Sequence, residues 1–241
     1  MKLMRFLLPV LFAGAALAQD EPKPLRQVSV RLLAFDATSI PQESFALDPA
    51  ALKTALGTAA PVKGYLNHEA IELKLFGNEI LFSKSANPAD LETAGNEFAK
   101  VKLPKTGDRF IFIFLPAGNG KFRILPVDDS IKGFPRGAYL VFNLSPSLVK
   151  LTLEKKPYDF KPGESSLIID PPVQENQHSA MYAFVKTNEK WQRIGSGLWP
   201  NPGTKRSIQV FFDNPESKQT ELRGFRDISP PNPRAINAAN P

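Results

Sequence analysis

From residue 25 onward, apolar and polar positions alternate with a period of two, the repeat of strands that turn one face to a core and the other to water. Residues 27–35 open the series, with Val28, Val30 and Leu32 on one face. Residues 71–75 alternate cleanly and are separated from residues 79–82 by Phe76-Gly77-Asn78, a spacing that predicts a hairpin whose glycine takes a positive φ. Residues 109–115 are apolar at successive positions, which suits a strand buried on both faces, and Gly118-Asn119-Gly120 turns the chain back into residues 121–125. Further strands are predicted over residues 138–144, 148–153, 158–160, 166–169, 180–186, 190–195, 207–212 and near 219–225. Short strands at hairpin spacing predict an all-β fold, arranged as two tandem immunoglobulin-like β-sandwich units.

Two stretches break the alternation. Residues 48–57 carry Asp48 as a helix cap, Pro49 at the first helical position and Gly57 as a stop, so a short helix is expected in a loop of the first unit. Residues 88–93 suit a single turn after Asn87. Residues 126–136, with Asp128, Asp129, Gly133 and Pro135, form the best boundary, which divides the chain into units 25–127 and 134–228. An echo between residues 71–82 and 149–160 is compatible with duplication of one unit. The tail 229–241, rich in Pro, Asn and Ala, has little to bury and is expected to be disordered.

The first 18 residues follow a different rule. Lys2 and Arg5 precede an apolar run that ends Ala16-Leu17-Ala18, the order of a cleavable signal peptide. The run is shorter than the roughly 20 residues that cross a bilayer, so the expectation is export to the periplasm or beyond with no membrane span. Cysteine is absent, which removes disulfides, thiolate metal sites and a thioether lipid anchor. The net charge of +6 becomes +4 without Lys2 and Arg5. Its basic residues are dispersed, as at Lys100, Lys102, Lys105 and Arg109, and they argue against nucleic acid as a partner.

Chemistry-bearing motifs are scarce. His68 and His178 lie far apart, with no second histidine at metal-ligand spacing. Gly195-Ser196-Gly197 lacks the nucleophile elbow and suits a turn. Asp128, Asp129, Asp170 and Glu175 form neither a calcium loop nor an evident glycosidase pair. No catalytic residue, metal site or cofactor is assigned. The candidate ligand contacts are Trp199, placed in a Pro-rich loop and expected to be exposed, Trp191, expected to pack in the core, and His178.

Residues 134–145, Phe-Pro-Arg-Gly-Ala-Tyr-Leu-Val-Phe-Asn-Leu-Ser, followed by Lys161-Pro162-Gly163-Glu164-Ser165, resemble the immunoglobulin-like sandwich modules of exported bacterial proteins. Periplasmic pilus chaperones share a tandem layout, but the paired basic residues of their cleft find no match here. The resemblance is structural and carries no site. The expected function is that of an exported, non-enzymatic binding or structural module whose partner is an envelope protein or a polysaccharide. A polysaccharide-acting hydrolase or carbohydrate-binding protein is the alternative, and the hydrolase needs Asp170, Glu175 and His178 in one cleft with Trp199 at its rim.

Overall fold

The computed structural model describes residues 25–53, 55–228 and 230. The signal peptide expected over 1–18 and, save for Pro230, the tail expected over 229–241 lie outside them. The described chain is all-β. Its strands are β1 (Arg26–Ala34), β2 (Phe45–Leu47), β3 (Thr58–Ala59), β4 (Ile71–Leu75), β5 (Glu79–Ser83), β6 (Glu97–Lys102), β7 (Arg109–Gly118), β8 (Lys121–Asp128), β9 (Tyr139–Asn143), β10 (Val149–Leu153), β11 (Lys156–Phe160), β12 (Ser165–Ile168), β13 (His178–Thr187), β14 (Lys190–Pro200), β15 (Arg206–Asp213) and β16 (Thr220–Asp227). Among the described residues no helix is long and apolar enough to cross a membrane.

The first eight strands form one sheet in the order β3-β2-β5-β6-β8-β7-β1-β4. The rest form two four-stranded sheets, β11-β10-β13-β14 and β12-β9-β15-β16. The two halves are therefore built differently. Antiparallel pairing dominates, but β1 with β7, β6 with β8 and β9 with β15 run parallel.

Alternation explains how the sheets stack, because successive residues of a strand point to opposite faces. On one face of the eight-stranded sheet, Val30, Leu32, Phe82, Phe98, Phe112 and Phe114 form a core with β4 residues Leu73 and Leu75. Residues from strands near both ends of the sheet order meet in that one cluster, so the sheet curls around it. On the opposite face, Leu33, Ile111, Ile113 and Val127 pack against Phe134, Leu140, Phe142, Ile208 and Val210 of the second half. The sheet of β9 and β15 turns its other face, with Tyr139, Val141 and Phe211, onto Leu151, Leu153, Ala183 and Val185. It is thus the middle layer, and β9 is buried at all five positions.

Two local expectations are corrected. Residues 48–57 hold turns in place of the short helix among the described residues. Asp48 does accept from the Ala50 N–H at 2.9 Å, as a cap would, and Ala55 N–H reaches Ala51 O at 3.0 Å. The same carboxylate, however, also binds the Phe76 N–H at 2.5 Å, and Gly57 N–H is claimed by Ala86 O at 2.7 Å, so tertiary bonds draw both ends of the segment away from a helical path. The turn after Asn87 forms as a 3-10 turn, Pro88–Glu92, with the Asn87 side chain accepting from the Ala89 N–H.

The second correction concerns residues 71–82. Strands β4 and β5 do not pair: β4 joins β1, and β5 lies between β2 and β6. Asn78, read as a turn residue, instead accepts from Arg26 through its side chain at 2.8 Å and from Leu103 N–H through its carbonyl at 2.7 Å. The counterpart, β10 with β11, is a true hairpin. The echo between the two segments therefore reflects shared amphipathic spacing without shared pairing.

One polar cluster sits beside the apolar interface between the halves. Arg31 of β1 grips Asp129 at 2.9 and 2.7 Å and Asp227 at 3.0 and 2.8 Å, and all three side chains are buried. Arg206, also buried, donates to Asp227 at 2.8 Å, to Phe134 O at 2.5 Å and to Asp129 Oδ1. Its guanidinium lies 4.4 Å from the centre of the Phe134 ring. Two cations and two anions satisfy one another, which is how buried charge is tolerated.

Burial alone pushes the Asp227 carboxyl up, but the hydrogen bonds and charges of Arg31 and Arg206 outweigh it and hold the group below the ordinary carboxylate range. A carboxyl whose folded value is depressed contributes stability in full above its unfolded value of about 3.9 and loses that contribution as pH falls through the folded value. Thermal melts followed by circular dichroism should therefore show midpoints that drop below about pH 4. The drop should be smaller in Asp227→Asn; an equal slope in that variant would remove Asp227 as its source.

Candidate binding site

Strands β14 and β16 are the edges of the two sheets that face each other in the second half. Between them opens a cavity of about 500 Å³. Its origin is visible in the sequence of the two edge strands. Gly195 of β14 and Gly224 of β16 line it, at strand positions where a side chain would otherwise fill the gap between sheets about 10 Å apart. Neither glycine takes a left-handed backbone, and a Cβ on Gly195 would stand 3.8 Å from Ala183, an ordinary contact. Gly195 is thus not demanded by the backbone, and its effect is to leave space. Gly224 leaves room for a specific neighbour: a Cβ there would meet the Gln209 amide at 2.8 and 3.0 Å.

The walls are amphipathic. Tyr139 and Trp199 form an aromatic pair with ring centres 4.8 Å apart, flanked by Ile194, Met181 and Leu222. The Tyr139 hydroxyl donates to Pro200 O at 2.7 Å, and burial pushes the phenol up to about 12 although nearby Arg226 opposes this, so Tyr139 remains a donor at neutral pH. Gln209, buried, donates to Ser207 Oγ at 2.9 Å. Glu221 of β16 borders the cavity, but its side chain takes the opposite face with Phe212, where Oε1 accepts from Asn214 and Ser217, each at 2.8 Å. Lys205 and Arg226 are exposed lining residues and form no ion pair among the described residues.

Trp199, Trp191 and His178, singled out from the sequence, are not brought together. Trp199 sits at the end of β14, half-buried on the inward face opposite Ser179, and it lines the cavity. Trp191 is 38% exposed on the outward face, with Lys150 Nζ 4.0 Å from its ring centre. The exposures expected for the two tryptophans are therefore interchanged. The cause is a register shift between Ala183 and Phe184, where β14 gains one residue, Ile194. Trp191 and Trp199 are eight positions apart and would share a face on a regular strand; the bulge sends them to opposite faces.

His178 also lies on the outward side, paired with Pro200, while Trp191 pairs with Lys186. Those positions are about 27 Å apart at 3.3–3.4 Å per residue. The His178 ring is engaged locally, with Nδ1 2.7 Å from Asn176 O. Asp170, Glu175 and His178 are absent from the cavity lining. Among the described residues no group of three or more His, Asp or Glu side chains is placed to hold a metal ion.

No family model matches this chain, and no curated protein matches it.

Of the residues that line the cavity, Trp199 alone is marked as a ligand contact by the sequence. Gly195-Ser196-Gly197 suited a turn but lies within β14. Gly224 and Gln209 are cross-strand partners in β16 and β15, a relation that exists only once the register is known. The available signal was the presence of glycines inside otherwise strand-like runs, which marks a bulge or a close approach.

Proposed function

We propose that this chain is an exported, non-enzymatic binding module, and that the cavity between β14 and β16 seats part of an envelope protein or polymer. In this reading the second half works as an immunoglobulin-like sandwich held open along one seam. The observation that carries it is the pair of facing strands whose glycines leave a space lined by an aromatic pair and unneutralised cations. Ligand sites are concave and largely preformed, with a few convergent polar groups among apolar walls, and this cavity has that character. Paired carboxylates, which most glycoside hydrolases require, do not line it, and this favours binding over hydrolysis.

The test fills the space. Gly195→Leu should abolish capture of cross-linked partner from an envelope extract, while Trp191→Ala on the outward face should leave capture intact. Both variants should keep the far-ultraviolet spectrum of the parent. Capture that survives Gly195→Leu but is lost in Trp191→Ala would move the site to the outer face and overturn the assignment.

A further inference from the structure

The geometry points to an acidic saccharide, a sugar unit bearing a carboxylate, as the ligand of this cavity, an inference that rests on reading the cavity as a binding site. Three features of the lining converge on that class. First, half-buried Trp199, backed by the buried Tyr139 ring 4.8 Å away, lines a half-open cavity of about 500 Å³, and the C–H face of a pyranose packs against such an indole. Second, the walls hold acceptors and donors suited to hydroxyls. The buried Gln209 amide, whose Nε2 donates to Ser207 Oγ at 2.9 Å, lies in the wall at the gap left by Gly224. A primary amide both donates and accepts, which suits sugar hydroxyls and not the chain of a fatty acid.

Third, Lys205 and Arg226 bring positive charge without an ion-pair partner, whereas the third lining cation, Arg206, is neutralised by Asp129 and Asp227. Glu221 turns its carboxylate to the other face of β16, so the lining has an excess of two unneutralised cations. A neutral sugar leaves that excess unused. A uronate carboxylate placed at Arg226 and Lys205 satisfies it by charge-assisted hydrogen bonds, the stronger kind. Arg226 faces Ser207 across the β15–β16 ladder, so its backbone position is fixed by strand pairing, as a binding residue's should be.

The test uses the two tryptophans of the chain. In a Trp191→Phe background, Trp199 is the remaining fluorophore and reports from the cavity. That protein is titrated with tetramers of galacturonate, glucuronate, mannuronate and guluronate, and with the methyl ester of each. At least one acid should give a saturable change in Trp199 emission, with its ester bound at least tenfold more weakly. Lys205→Ser with Arg226→Ser should erase the preference for acid over ester, and Gly195→Leu should remove binding of both.

The proposal falls if none of the acids binds, if ester and acid bind alike, or if the acid binds undiminished to the Gly195→Leu protein. Loss of partner capture in Gly195→Leu without uronate binding would overturn the saccharide while leaving the cavity as the binding site. Uronate binding unaffected by filling the cavity would overturn both.

Discussion

Asp227→Asn is expected to lower the stability of the fold by about 3–5 kcal/mol, the usual cost of removing one partner from a buried ion pair. For a chain of this size that corresponds to a fall in melting midpoint of roughly 6–20 °C, at about 2–4 °C per kcal/mol. The reason is asymmetric. Arg31 and Arg206 are both buried, and each would keep its charge while losing a carboxylate at 2.8 Å. The uncompensated guanidiniums then bear the desolvation that the pairing had offset. A double change that removes one charge of each sign, Arg206→Met with Asp129→Leu, leaves the Arg31–Asp227 pair intact and should cost less than the sum of the two single changes. Additive losses in chemical denaturation would mean that the four groups do not act as one network.

The second large effect concerns the two halves. Residues 134–230 expressed alone should fail to fold, and the chain from residue 25 to 230 should unfold in a single calorimetric transition. Leu140, Phe142, Ile208 and Val210 form one face of the middle sheet, and what covers them in the intact protein is Leu33, Ile111, Ile113 and Val127 of the first half. Fully burying a side chain of this kind contributes about 1.5–3 kcal/mol, so exposing these four removes about 6–12 kcal/mol, as much as the 5–15 kcal/mol that stabilises a typical domain. Arg206 and Asp227 would also lose Arg31 and Asp129. Contacts between the halves reinforce the joint at the opposite end of the strands, where Arg223 donates to Phe35 O at 2.7 Å and lies over the rings of Phe35 and Phe212. A soluble 134–230 fragment with a cooperative melt, or two separated transitions in the full chain, would show that each half is self-sufficient.

The strands were legible because their cause is local. A residue's alternation with its immediate neighbours is enough to mark Val28, Val30 and Leu32 as one buried face and to mark residues 110–115 as buried on both. Turn chemistry was equally local at Asn119-Gly120, both at positive φ between β7 and β8, and at Asn87, which caps the 3-10 turn. Where a local signal competed with a distant bond, the distant bond won. Asp48 could cap a helix, but its hydrogen bond to Phe76 holds the segment in turns.

The candidate site was legible only at Trp199, whose aromatic side chain beside prolines is conspicuous without any partner. Its surroundings were not. A bulge adds one residue and reverses which face every later side chain takes, and no periodic pattern announces where it falls. The glycines at 195 and 224 each look like a turn or a weak strand position, and become a cavity only when their strands face one another.

The sequence by itself determined the all-β character and most strand positions, since these follow from side chains two residues apart along one chain. Only the tertiary structure decided which sheets stack, that Arg31, Asp129, Arg206 and Asp227 share one buried cluster, and that the cavity opens beside Trp199. Those features depend on register and on pairs as much as 196 residues apart in the chain, and the energy that selects them is that of burying surfaces no single segment possesses.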